Sequence, residues 1–133
     1  MSTTAHRPVR VLIVDDQRMF ADALAAQLEL DDRVQVVGVA STPEEAAGVP
    51  GEIDVALVDL VMPLLDGVEL TLLLRRLHPG LRVILVSGRQ EEHLEESARE
   101  AGAESYLRKG SLGAEVGDAV VAAAAAAAGP TRF

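Results

Sequence analysis

Five times along this chain a short apolar run suited to a strand is followed by a segment whose apolar residues recur at helical spacing. That alternation restricts the fold severely. Strands separated by helices pair as parallel neighbours, and right-handed crossovers lay them in one sheet with helices on both faces. Strands are expected at 9–14, 34–40, 53–60, 81–86 and 104–108, and helices at 18–30, 68–77, 91–101 and 111–128. A further, short helix opens at Ser41-Thr42-Pro43-Glu44-Glu45, which supplies a cap residue, an early proline and acidic first-turn residues. Gly48, Pro50 and Gly51 end it quickly.

In an open α/β sheet, ligands sit outside the carboxyl ends of the strands. The residues at those ends are Asp15 and Asp16 after the first strand, Asp59 after the third, Ser87 after the fourth and Lys109 after the fifth. A parallel sheet gathers all of them on one edge. Three carboxylates so gathered would raise one another's pKa and resist ionisation without a compensating cation. Mg2+ meets that need, because it takes oxygen ligands in near-octahedral geometry and keeps several waters. Asp16 and Asp59 are the expected direct ligands, with the backbone carbonyl of Val61, and Asp15 acts through water.

Lys109 is the only lysine beside eleven arginines. A flexible point charge can follow a phosphoryl oxygen more easily than an arginine fork. The chemistry these residues suggest is in-line attack by a carboxylate oxygen of Asp59 on phosphorus, giving an acyl phosphate. Mg2+ and Lys109 would neutralise the equatorial oxygens, and the Ser87 hydroxyl would donate to one of them. Ser87 would then move inward, and Tyr106 would exchange between exposed and partly buried rotamers.

Composition excludes several other classes. With 133 residues, the chain suffices for one domain, and 49% hydrophobic residues argue for a packed core rather than disorder. A formal charge of -9 repels a nucleic-acid backbone, and no basic run reverses it, so direct nucleic-acid contact is not expected. Cysteine is absent, which removes disulfides and thiolate metal sites. No apolar run approaches the roughly 20 residues that span a bilayer, and a cytoplasmic location is expected. His6, His78 and His93 read as tail or helix residues rather than ligands.

Taken together, Asp15-Asp16, the stretch Asp59-Leu60-Val61-Met62-Pro63-Leu64-Leu65-Asp66-Gly67, Ser87, Tyr106 and Lys109 resemble the response regulator receiver domains of bacterial two-component signalling. The resemblance covers about residues 8–128, leaving 1–7 and 129–133 as flexible termini. It implies a flavodoxin-like doubly wound sheet, strand order 2-1-3-4-5. It further implies that Asp59 receives its phosphoryl group from a phosphohistidine on a sensor histidine kinase and that the domain dephosphorylates itself. Tyr106-Leu107-Arg108-Lys109-Gly110-Ser111 is similar to receivers that precede a helix-turn-helix output domain. Two continuations are open: a longer protein that controls transcription through such a domain, or a single-domain regulator acting by protein contact.

Two rival functions are weighed against this one. A phosphatase would usually need an acid or base soon after its nucleophile, and Leu60-Val61 supplies none. An unphosphorylated interaction module would have no use for the full acidic, serine and lysine set. Val116, Val120 and the neighbouring alanines could support homodimerisation, which the resemblance places on the face of the fourth and fifth helices, but apolar residues at that spacing are needed for packing within the chain in any case. The stretch from Glu44 to Asp54 is shorter than usual in the family, Gly110 stands where many relatives have proline, and Gly88 stands where alanine is usual.

Overall fold

The computed structural model describes residues 7–62, 66–88, 93–113 and 115–126. Strands β1 (Val9–Val14), β2 (Val34–Ala40), β3 (Val55–Asp59), β4 (Arg82–Ser87) and β5 (Ser105–Arg108) form one sheet in the order β2-β1-β3-β4-β5. Every pairing is parallel. The doubly wound order expected from the resemblance is therefore the one found.

Alternation along the strands explains why helices cover both faces. Val11, Ile13, Val55, Leu57, Ile84 and Val86 point to one side, where they pack with α1 (Arg18–Leu28) and α5 (Glu115–Ala125). Leu12, Val14, Ala56, Val58, Val83 and Leu85 point to the other, toward α2 (Pro43–Ala47), α3 (Gly67–Leu77) and α4 (Leu94–Ala101). Both faces are apolar, so the central strands read as nearly continuous hydrophobic runs.

Local chemistry sets the helix ends. Thr42 Oγ1 accepts the Glu45 N–H at 3.1 Å, and Glu45 Oε1 accepts the Ser41 N–H at 2.7 Å, a reciprocal cap that starts α2. Asp66 caps α3 by accepting the Glu69 N–H at 2.9 Å. Gly102, with φ of +71°, ends α4 in the left-handed region.

Several expected boundaries shift. Helix α1 stops at Leu28 instead of residue 30, because Leu30 and Asp31 turn back onto the Gln27 and Leu28 carbonyls. Strand β3 begins at Val55 instead of residue 53, since the Asp54 carboxylate takes the Arg10 N–H at 3.0 Å in place of a ladder carbonyl. Strand β4 runs over Arg82–Ser87, one residue later than expected. The largest change is in α5. Lys109–Ser111 form a 3-10 turn, and the α-helix starts only at Glu115, after Gly113. Helix α4 starts at Leu94; residues 91 and 92, like the Pro63 turn, Arg89 and Ala127–Ala128 of the alanine run, lie outside the described residues.

The alanine-rich helix grips the core more firmly than its small side chains suggest. Ala123 and Ala126 are buried, and the Ala126 carbonyl accepts from Arg82 at 2.8 Å. Val116 and Val120 are buried against the sheet, so of the two roles their spacing allows they serve packing within the chain and are not available as a dimer surface.

Candidate functional site

The chain reverses direction across the sheet at β1, which lies between β2 and β3, and the site sits at the carboxyl ends beside that switch point. Asp15 follows β1 and is 2% exposed. Its Oδ1 accepts the Gln17 backbone N–H at 2.8 Å, and its Oδ2 pairs with Lys109 Nζ at 2.8 Å. Asp59 closes β3 and is 5% exposed. Its Oδ1 accepts the Val61 N–H at 3.3 Å, while its Oδ2 lies 3.6 Å from Lys109 Nζ. Asp16 is exposed, and oxygens of Asp15, Asp16 and Asp59 all fall within 4.8 Å of one another.

Asp16, Asp59 and Lys109 line a cleft of about 710 Å³ together with Gln17, Phe20 and Gly88, and Asp15 lies behind them. Burial pushes the Asp59 carboxyl up to about 6, and repulsion from Asp15 adds to that effect. Lys109 and the Val61 N–H pull in the other direction without cancelling it. The cluster is thus short of positive charge. Two buried carboxylates and one exposed one, with oxygens within 4.8 Å of one another, form a hard-oxygen donor set that fits a divalent cation such as Mg2+.

Of the residues singled out from sequence, Asp15, Asp16, Asp59 and Lys109 come together at this cleft. Val61 lines it as well and is 45% exposed. Ser87 is buried at the end of β4, one residue before the cleft-lining Gly88. Tyr106 lies elsewhere: it is half-buried against the core on the α3 and α4 side and borders a groove beside Ala119 and Ala122 of α5. Gln17 and Phe20 were not anticipated. Their signal was available, because residues three apart at the start of a helix share one face.

Gly67 is held to the site by backbone proximity. Its N–H donates to the Leu60 carbonyl at 2.8 Å, and a Cβ built on it would lie 2.7 Å from both the Asp59 carbonyl oxygen and Leu60 Cα. Only glycine lets α3 approach the Asp59 strand end this closely. Gly67→Ala is expected to cost about 1–3 kcal/mol, as overpacking against backbone does, and to displace the Asp59 segment. Urea unfolding, with Gly80→Ala as a control where a Cβ meets nothing within 4 Å, checks this.

Residues 11–120 match the family model described as the response regulator receiver domain. The chain belongs to that family. Among its relatives, the transcriptional regulatory protein LiaR of Bacillus subtilis (strain 168) is 38% identical over 117 residues, covering 86% of this chain and 56% of LiaR. A protein-glutamate methylesterase/protein-glutamine glutaminase of Gluconobacter oxydans (strain 621H) is 36% identical over 129 residues, covering 90% of this chain and 36% of that protein. The signal receiver domain of the putative response regulator NarL from Mycobacterium tuberculosis superposes with a TM-score of 0.79 at 32% identity, covering 90% of this chain and 98% of that structure. The receiver domain spans about half the length of LiaR, and about a third of the methylesterase. Receiver domains of response regulators interact with histidine kinases. Among the described residues of this receiver domain, no helix is long and apolar enough to cross a membrane.

Proposed function

We propose that this receiver domain takes a phosphoryl group onto Asp59 in a Mg2+-dependent reaction, with a phosphohistidine on a sensor histidine kinase as the donor. The observation that carries this reading is the Lys109 ammonium, seated between Asp15 at 2.8 Å and Asp59 at 3.6 Å at the mouth of an acidic cleft. A carboxylate oxygen of Asp59 attacks phosphorus as the bond to the donor nitrogen breaks, and that nitrogen keeps the bonding electron pair. Lys109 neutralises an equatorial phosphoryl oxygen, and Ser87 donates a hydrogen bond to another.

Asp16, Asp59 and the Val61 carbonyl would hold Mg2+, which when bound offsets the negative charge of carboxylates and phosphoryl group. Both oxygens of Asp15 already accept protein hydrogen bonds or ion pairs, which favours a contact through water. Ser87 and Tyr106 are the proposed switch pair that carries the change from the cleft toward α4, β5 and α5. The output proposed is control of transcription through a DNA-binding domain in a longer protein, on the precedent of LiaR's name. Cytoplasmic localisation and pairing of two copies through the α4–α5 face, without Val116 and Val120, belong to the same proposal.

Incubation with acetyl phosphate, followed by intact mass with and without Mg2+, tests the acceptor. A single phosphoryl adduct is expected with the metal and none in Asp59→Asn. An adduct that persists in the variant, or forms equally without metal, defeats the assignment.

A further inference from the structure

We infer that Gln17 is a positioning residue for Lys109, orienting its ammonium so that one N–H faces the place beside Asp59 where a phosphoryl oxygen would arrive. This inference rests on the proposed transfer to Asp59. Gln17 occupies the N-cap position of α1, yet its side chain makes no capping hydrogen bond to that helix. Glutamine is not among the favoured N-cap residues, so the choice needs another reason. Its amide oxygen instead accepts from Lys109 Nζ at 2.8 Å. Lysine has only donors to offer, which assigns the oxygen rather than the nitrogen of the amide to this contact.

An ammonium has three N–H bonds. Asp15 takes one at 2.8 Å and Gln17 another at 2.8 Å. The Phe20 ring, its centroid 4.5 Å from Nζ, closes a further side through its π face. Asp59 Oδ2, at 3.6 Å, is beyond hydrogen-bonding distance, so among the described residues no third acceptor engages the ammonium of this cleft-lining lysine. Gln17 at the N-cap of α1 and Phe20 three residues on, in its first turn, thus hold the lysine from one side while Asp15 holds it from another. Because the Gln17 side chain is exposed, its loss should disturb little besides this contact.

Gln17→Met keeps the length of the side chain and removes the acceptor. Two measurements on the full chain test the idea. Phosphorylation by acetyl phosphate at saturating Mg2+ should show a maximal rate constant lowered about three- to ten-fold, with the half-saturating donor concentration and the Mg2+ dissociation constant within two-fold of the parent. Nitrogen-15 NMR of the single lysine should show its ammonium resonance shifted and exchanging faster with water in the variant. An unchanged maximal rate overturns the inference, as does a loss confined to the half-saturating concentration, which would place Gln17 against the donor instead. If the parent protein takes no phosphoryl group, the proposed transfer fails; the ammonium resonance still decides the contact, and an identical signal in parent and variant overturns it.

Discussion

Asp59→Asn is expected to make the metal-free protein more stable at neutral pH, although it removes the residue on which the proposed chemistry depends. Burial and the neighbouring Asp15 raise the Asp59 carboxyl from 3.8 to about 6, so the ionised form is disfavoured in the folded state. A rise of about two units corresponds to a ceiling of roughly 3 kcal/mol at neutral pH. Asparagine keeps an oxygen for the Val61 N–H and carries no charge. The melting temperature should therefore rise by about 5–10 °C in chelator.

The pH dependence follows from the same shift. Between the unfolded value near 4 and the folded value near 6, the native protein holds a proton on Asp59 that the unfolded chain has released. The raised pKa therefore adds nothing to the difference between the proteins below about pH 4; the parent loses stability relative to Asp59→Asn as pH rises from about 4 to about 6, and the gap is constant above that. Melting curves of both proteins recorded from about pH 4 to 8 should diverge up to about pH 6 and run parallel above it. Mg2+ should narrow the gap by binding the folded parent more tightly than the variant. A variant no more stable than the parent at pH 7.5 in chelator would contradict this account of the cluster.

Lys109→Met should have the opposite effect on stability and the larger effect on chemistry. Methionine keeps an unbranched apolar stem of similar length but leaves Asp15, 2% exposed, without its cation. Stranding one partner of a buried pair costs on the order of 3 kcal/mol, measured here by urea unfolding in chelator. Removing the charge that meets the phosphoryl oxygens should slow adduct formation about 100-fold or more. Added Mg2+ should restore part of the stability without restoring the rate, since a cation can relieve the carboxylates but does not replace the lysine's donor. Full recovery of the rate with metal would mean that Lys109 is only a structural counterion. Asp59 and Lys109 stand 3.6 Å apart, so the double variant should depart from additivity.

The family is legible in the sequence because its marks are local. The alternation of apolar strands with helical patterns announced a parallel sheet, and each strand's last residues could be read without knowing where the neighbouring strands lay. Asp15, Asp16, Asp59 and Lys109 were found in this way, and they do converge. The second helix was legible for the same reason, since the Ser41, Thr42 and Glu45 cap is complete within residues 41–45. Boundaries were less so. The start of α5 depends on the 3-10 turn at Lys109–Ser111, and the start of β3 depends on Arg10 donating to Asp54 from another strand.

By itself, then, the sequence determined the order of elements, the two-sided burial of the central strands and the identity of the charged groups at the sheet edge. These follow from periodicity and from short-range capping, which act between residues a few positions apart. Only the tertiary structure decided which oxygen meets which cation. It placed Lys109 against both Asp15 and Gln17, left Asp59 beyond hydrogen-bonding reach of that ammonium, set Tyr106 beside α5 outside the cleft lining, and decided that Val116 and Val120 pack within the chain. Those outcomes depend on the spacing of strands far apart in sequence and on how much water each carboxylate loses, and electrostatic energies at a few ångströms turn on both.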